Sequence, residues 1–227
     1  MTTICTVCAR GGSTGVPRKN VRQLLGKPLI GWTIEQALAA PSIDGVYVST
    51  DDDEIASVAE DFGAIVPYRR PAELATTEAA KLPVIGHLVE RIEADGVEID
   101  RVVDLDPTSP LRTVDDIENA IEMLDDDTDV VITAYPAEKN PYFNMIEQQA
   151  DGSYGLVVAS DAVSRQGAPA VYSMNGSVYV WHRHTLAKGL WGGRAQLYEM
   201  PRERSVDIDA ELDFTIVELL MNRREGR

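Results

Sequence analysis

The sequence predicts an α/β fold, a mostly parallel sheet with helices on both faces. Short apolar, β-branched runs alternate with stretches of helical periodicity. The first apolar run, Ile4 to Ala9, breaks at once into a glycine-rich loop. A chain of 227 residues with 44% hydrophobic content suffices for one large α/β domain.

Taken in order, the strands are expected at 3–8, 45–49, 64–67, 101–105 and 129–134. The helices are expected at 28–40, 52–62, 79–94, 113–125 and 210–224. Asp51 to Asp53 follow Ser49-Thr50 and cap the second helix, where acidic side chains favour the dipole. Thr113 is a good N-cap for the fourth, and Glu211 and Asp213 fall in the first turn of the last. After Tyr135 the pattern becomes strand-like and irregular through 181, with turns at Asp151-Gly152 and Gly167–Pro169. This reads as a β-rich insertion within a single domain. Its aromatic content (Tyr135, Tyr142, Phe143, Tyr154) exceeds what a surface hairpin needs and predicts a two-fold dimer interface.

The net charge is −16, from 37 acidic and 21 basic residues, which argues against a general nucleic-acid binder and an anionic-membrane binder. No apolar run is long enough for a membrane helix, and the N-terminus lacks signal-peptide features, so a cytoplasmic protein is expected. Cys5 and Cys8, three apart in one strand, point to opposite faces and read as core residues. None of the three histidines sits near a nucleophile motif, so a Ser-His or Cys-His hydrolase has no support.

Three segments carry the chemistry. In the first, Arg10, Gly11, Gly12, Ser13, Thr14 and Gly15 are followed by Pro17, Arg18, Lys19 and Asn20. Glycines let backbone N–H groups crowd an anion, and cations at both ends neutralise it, as in a polyphosphate cradle. The glycine spacing fits neither a Walker A loop nor a dinucleotide turn. The second segment, Asp106 to Arg112, is a stiff proline-flanked loop at a strand's carboxyl end, where ligands of such sheets bind. In the third, Ser205 to Phe214, alternation places Asp207 and Asp209 on one face of an extended stretch. Two such carboxylates beside a phosphate cradle suit Mg²⁺, which neutralises charge in phosphoryl chemistry.

Together these segments resemble the acylneuraminate cytidylyltransferase family, the CMP-sialic acid synthetases. The matching motifs are ARGGSTGVPRKN (Ala9 to Asn20), DPTSPLR (Asp106 to Arg112), Asn175-Gly176 with Tyr179, and Ser205 to Asp213. AKLPVIGHL, NPYFNMIE and SMNGSVYV are most similar to the branch acting on legionaminic acid. The resemblance implies a Rossmann-like nucleotidyltransferase fold with a small dimerisation insertion, at about 136–181 here. It implies a reaction of CTP with a nonulosonic acid, in which the anomeric hydroxyl attacks the α-phosphorus and pyrophosphate leaves.

By the same resemblance, Ala9, Arg10, Gly11, Gly12, Ser13, Gly15, Lys19, Asn20, Ala80 and Lys81 contact the nucleotide. Arg10, Lys19 and Asp209 act in catalysis, and Asp207 and Asp209 hold Mg²⁺. Asp106, Thr108, Pro110, Tyr142, Phe143, Asn144, Arg165, Gln166 and Asn175 serve the sugar. Phe143 and Tyr142 suit a methyl-terminated tail better than a glycerol tail. The chain departs from the family pattern at Thr14 for Lys, at Lys81 for a small residue and at Asp106 for Gln. Arg18 or Lys81 is then expected to supply the cation missing at Thr14. Two other readings stand beside this one. The first is a nucleotidyltransferase for another sugar acid or a sugar 1-phosphate with a different NTP, and the second is a nucleotide-binding regulatory protein.

Overall fold

Ten strands and five helices follow the strand–helix alternation in a computed structural model that describes every residue except Thr14, Glu225 and Arg227. The strands are β1 (Thr3–Cys8), β2 (Gln23–Leu24), β3 (Lys27–Pro28), β4 (Gly45–Ser49), β5 (Arg101–Leu105), β6 (Val130–Pro136), β7 (Ile146–Gln148), β8 (Tyr154–Leu156), β9 (Tyr172–His182) and β10 (Ala195–Glu199). The helices are α1 (Leu29–Leu38), α2 (Asp53–Asp61), α3 (Lys81–Ala94), α4 (Val114–Glu122) and α5 (Glu211–Arg224). Six strands form the central sheet in the order β10-β6-β9-β5-β1-β4, and β9 alone runs antiparallel to its neighbours. From β1 the chain goes to β4 on one side and then crosses to β5 on the other. The carboxyl ends of β1 and β5 therefore flank a topological switch point, where a crevice opens.

Apolar side chains fill both faces. Ile30, Ile34, Ile55, Ile117 and Ile121 from α1, α2 and α4 bury against Val7, Val48, Val103 and Val180. On the other face, Ile85, Leu88, Val89 and Ile92 of α3 pack on Val102, Val130 and Trp181. A third cluster joins Phe214, Val217 and Met221 of α5 to Val16, Leu24, Leu111 and Ile208. It fastens the last helix to the loops above the sheet.

The caps are those expected. The Asp52 carboxylate accepts from Ile55 N at 3.0 Å. Thr113 and Asp116 form a reciprocal capping box. Two expectations change. Residues 64–67 form no strand; only an isolated bridge joins Ile65 to Tyr47, and this short run lies beyond the sheet's edge strand β4. The insertion is also shorter than 136–181. Tyr172–His182 is the longest strand of the central sheet, so only the stretch between β6 and β9, with the β7–β8 hairpin, leaves it. Asn175-Gly176 forms a bulge in β9, with Gly176 at φ +65°. There the Thr133 hydroxyl stands in for ladder partners, donating to Asn175 Oδ1 at 2.6 Å and accepting from Val178 N at 3.0 Å.

Asp116, fully buried, also accepts from Arg204 Nε at 2.9 Å and Nη2 at 2.8 Å. Burial alone would raise its pKa, but Arg204 and the Thr113 donors outweigh burial and leave it below the ordinary value. Its stabilisation is thus complete above the ordinary carboxylate range and lost as pH falls through the lowered value. Arg204→Ala is expected to cost about 2–3 kcal/mol near neutral pH. The difference from wild type should shrink below about pH 4, measured by urea unfolding across pH.

Candidate active site

The crevice at the switch point is a cleft of about 580 Å³, and all three sequence segments reach it. Arg10, Ser13, Gly15, Lys19 and Asn20 come from the loop after β1; Asp106, Pro107 and Thr108 come from the loop after β5. Asp207 and Asp209 come from the extended stretch before α5. One backbone device ties them together. Ile208 N donates to the Thr108 carbonyl at 2.9 Å, and Lys19 Nζ donates to the Ile208 carbonyl.

The glycines of the first loop act differently from a simple cradle. A Cβ on Gly15 would lie 2.0 Å from the Asp209 carbonyl oxygen, so glycine there permits the close approach of two backbones. Gly11 gives its N–H to the Asp51 carboxylate at 3.0 Å, which removes that donor from any anion. A Cβ on Gly12 would meet nothing within 4 Å.

The cations divide into two sets. Arg10 is held by one bond from Nη1 to the Thr76 carbonyl at 2.9 Å, and the Lys19 ammonium lies 3.4 Å from Asp209. Arg18 is turned away and paired with Asp52 and Glu54. Lys81 sits 2.7 Å from both Asp104 and Asp106, with Tyr179 beneath it at 5.0 Å. Burial would lower the Lys81 ammonium, but the two carboxylates more than reverse this and hold it well above its ordinary value. Neither Arg18 nor Lys81 is therefore free to serve as an extra phosphate cation. Thr14, whose substitution raised that expectation, lies outside the described residues.

Asp207 is the carboxylate best placed for a divalent cation. Its Oδ1 is buried without a hydrogen-bond partner. Burial raises its pKa, with the Thr108 hydroxyl acting in the opposite direction. Asp209 is highly exposed, and its backbone N–H donates to Asp213 at 3.1 Å. Among the described residues, no three His, Cys, Asp or Glu side chains converge on a metal position. Two carboxylates fit a cation that takes its remaining ligands from phosphate and water. The Asn20 Oδ1 acceptor is likewise buried and unpartnered, while its Nδ2 donates to the Arg10 carbonyl at 3.0 Å.

Other expected residues lie elsewhere. Ala9 is core, and Ala80, at the start of α3, does not line the cleft. Pro110 is buried, and its carbonyl accepts from Gln36 at 2.8 Å. Asn175 spends its whole amide inside the protein: Oδ1 accepts from Thr133 and Ser177, and Nδ2 donates to Ser205 at 2.9 Å. Tyr142, Phe143, Asn144, Arg165 and Gln166 sit in the insertion and do not line the cleft of the single chain. Asn144 accepts from Asn140 N at 2.7 Å, and Arg165 donates to the Glu138 carbonyl at 2.6 Å. Cys8, expected in the core, is partly exposed and lines the cleft.

Arg70, Leu74, Thr76, Thr77 and Val84 also line the cleft, and none of them was assigned a role from the sequence. The sequence signal for the first two is the RPAELA run, Arg70 to Ala75, which also resembles the family.

An α/β sheet with cations and paired carboxylates in the crevice at its switch point is an arrangement suited to handling a nucleotide. Residues 4–213 match the family described as Cytidylyltransferase, and the chain belongs to that family. It is 41% identical over 226 residues to the CMP-N,N'-diacetyllegionaminic acid synthase of Campylobacter jejuni, covering 96% of this chain and 94% of that one. It is 39% identical over 225 residues to the post-translational flagellin modification protein B of Campylobacter coli, covering 97% and 95%. A solved CMP:2-keto-3-deoxy-manno-octonic acid synthetase complexed with CTP superposes with a TM-score of 0.72 at 19% identity. That superposition covers 99% of this chain and all of that one, and shows the shared fold.

Gly15→Ala is expected to separate the first loop from the Asp209 backbone and abolish nucleotide binding, whereas Gly12→Ala leaves the unliganded fold intact. Calorimetric titration with nucleotide, alongside thermal melts, checks both.

Proposed function

We propose that the chain transfers the cytidylyl group of CTP to a nonulosonic acid of the legionaminic type. One observation carries this reading: a cleft walled by Arg10 and Lys19 faces a buried carboxylate oxygen of Asp207 that has no protein partner. The names of the family relatives supply the substrate class. The anomeric oxygen forms a bond to the α-phosphorus, the bond to the β-phosphate bridge breaks, and pyrophosphate leaves with that electron pair. The anomeric proton passes to a base. Arg10 and Lys19 hold the triphosphate, and their charge-assisted bonds strengthen as negative charge collects on the leaving group. Asp207 and Asp209 would hold Mg²⁺, which, when bound, neutralises phosphate charge.

Pyrophosphate release, with four NTPs crossed against a panel of nonulosonic acids, tests the reading. CTP with a legionaminate-type acid should give the highest kcat/KM. A preference for another NTP or for a sugar 1-phosphate would overturn it. Asp207→Asn should keep the fold and lower kcat about a hundredfold or more, since it removes a charged ligand.

The active form in this reading is a homodimer in which the insertion of one chain completes the cleft of the other. Its support is that Tyr142, Phe143 and Arg165 lie away from their own cleft while Ile146, Tyr154 and Val163 are exposed on the insertion. Light scattering should give twice the chain mass. Mixing inactive Asp207→Asn with an inactive Phe143→Asp variant should restore about a quarter of wild-type activity, the share expected from random two-fold pairing. A monomeric, fully active protein would refute it.

A further inference from the structure

Arg70 presents an unsolved electrostatic problem. It is 7% exposed and forms no ion pair with any carboxylate among the described residues. A buried guanidinium without a counter-charge is costly unless its donors are met and a ligand supplies an acceptor. Its donors are met in part. Nε donates to Ser49 Oγ at 3.0 Å, and Nη2 donates to the Ser49 carbonyl. Nη1 has no protein acceptor among the described residues, and Arg70 lines the cleft.

Ser49 is itself held from behind. Its hydroxyl lies 3.2 Å from the Tyr68 hydroxyl, which lies 2.8 Å from His87 Nδ1 on α3. The Tyr68 and His87 rings meet edge to face at 4.9 Å. The chain His87–Tyr68–Ser49–Arg70 thus runs from a half-buried face of α3 to the cleft wall. It works with either histidine tautomer, because the Tyr68 hydroxyl can donate to one neighbour and accept from the other. In both arrangements Ser49 Oγ keeps a lone pair for Arg70 Nε, so the chain acts as a strut. No part of it belongs to the three sequence motifs.

We propose that Tyr68 and His87 are positioning residues for the nucleotide, holding the Arg70 guanidinium in the cleft through Ser49. This rests on the reading that the cleft binds CTP. Losing one link removes one neutral hydrogen bond and frees Ser49 to rotate, so affinity should fall by the value of that bond. Tyr68→Phe and His87→Phe preserve shape and remove only the polar link. His87→Asn keeps a polar atom where Nδ1 stands.

Calorimetric titration of the full chain with CTP and Mg²⁺, without sugar, tests this. Tyr68→Phe and His87→Phe should each weaken CTP binding roughly threefold to tenfold. The double variant should be no weaker than the singles, since both cut one chain. His87→Asn should stay close to wild type. In pyrophosphate release, KM for CTP should rise while kcat and KM for the sugar hold. Unchanged CTP affinity in Tyr68→Phe would overturn the strut and leave the functional reading intact. Additive losses, or equal losses for both substrates with a lowered Tm, would overturn it as a general structural effect. Wild-type protein that binds no CTP would overturn the functional reading, and the strut with it.

Discussion

The site exists because the stretch before α5 returns to dock on the loop after β1, 189 residues away along the chain at the Lys19–Ile208 contact. Three features make that docking. Gly15 leaves room for the Asp209 carbonyl, Lys19 binds the Ile208 carbonyl, and the Ile208 side chain is wholly buried among Val16, Leu24 and Leu29. The Thr108 carbonyl fixes the same strip from the other side through Ile208 N. Apolar burial supplies the driving force and the backbone bonds set the register. Asp207 and Asp209 then face the cleft because Ile208 between them must face the core.

Charge inside the cleft differs from charge on the surface. The chain carries −16 overall, yet four cations and three carboxylates line the cleft. Lys81 is already neutralised by Asp104 and Asp106, which leaves Arg10, Lys19 and Arg70 against Asp207 and Asp209. A balance so close to neutral is a weak trap for a triphosphate alone. In the proposed reaction a divalent cation arriving with the nucleotide would make it a strong one, turning both carboxylates from repulsive into attractive groups. The excess negative charge elsewhere repels anions from the rest of the surface.

Most of the framework was legible in the sequence because it rests on local signals. The apolar runs of β1, β4 and β5, the Asp52 cap and the Thr113–Asp116 box are all readable within a few residues. Ala195–Glu199 escaped because its run carries no β-branched residue, and 64–67 misled because a β-branched run need not find a neighbour. Within the site, charge and glycine spacing revealed Arg10, Lys19, Asp207 and Asp209. They could not show that Gly11 answers to Asp51, that Arg18 answers to Asp52, or that Asn175 fills a bulge. Those assignments depend on partners far along the chain. Arg70 opens the family-like RPAELA run but gained no role from it, because its meaning comes from Ser49, Tyr68 and His87, which no single window contains.

Lys81 and Asp106 show how such partners change an interpretation. Read along the chain, they are two unrelated departures from the family pattern. In the fold they are one exchange. Asp104 is fully buried, with its other oxygen accepting from the Thr6 hydroxyl at 2.8 Å, and burial raises its pKa despite Lys81. A second carboxylate at Asp106, beside the first, would be prohibitive without a shared cation, and the first turn of α3 delivers one within 2.7 Å of both. The trio carries one net negative charge at the rim where Asp106 meets Thr108. That rim repels a carboxylate and favours an N–H or O–H donor. In the proposed reaction, a sugar acid entering here would be oriented with its carboxylate away from Asp106 and its hydroxyl or amide donors toward it.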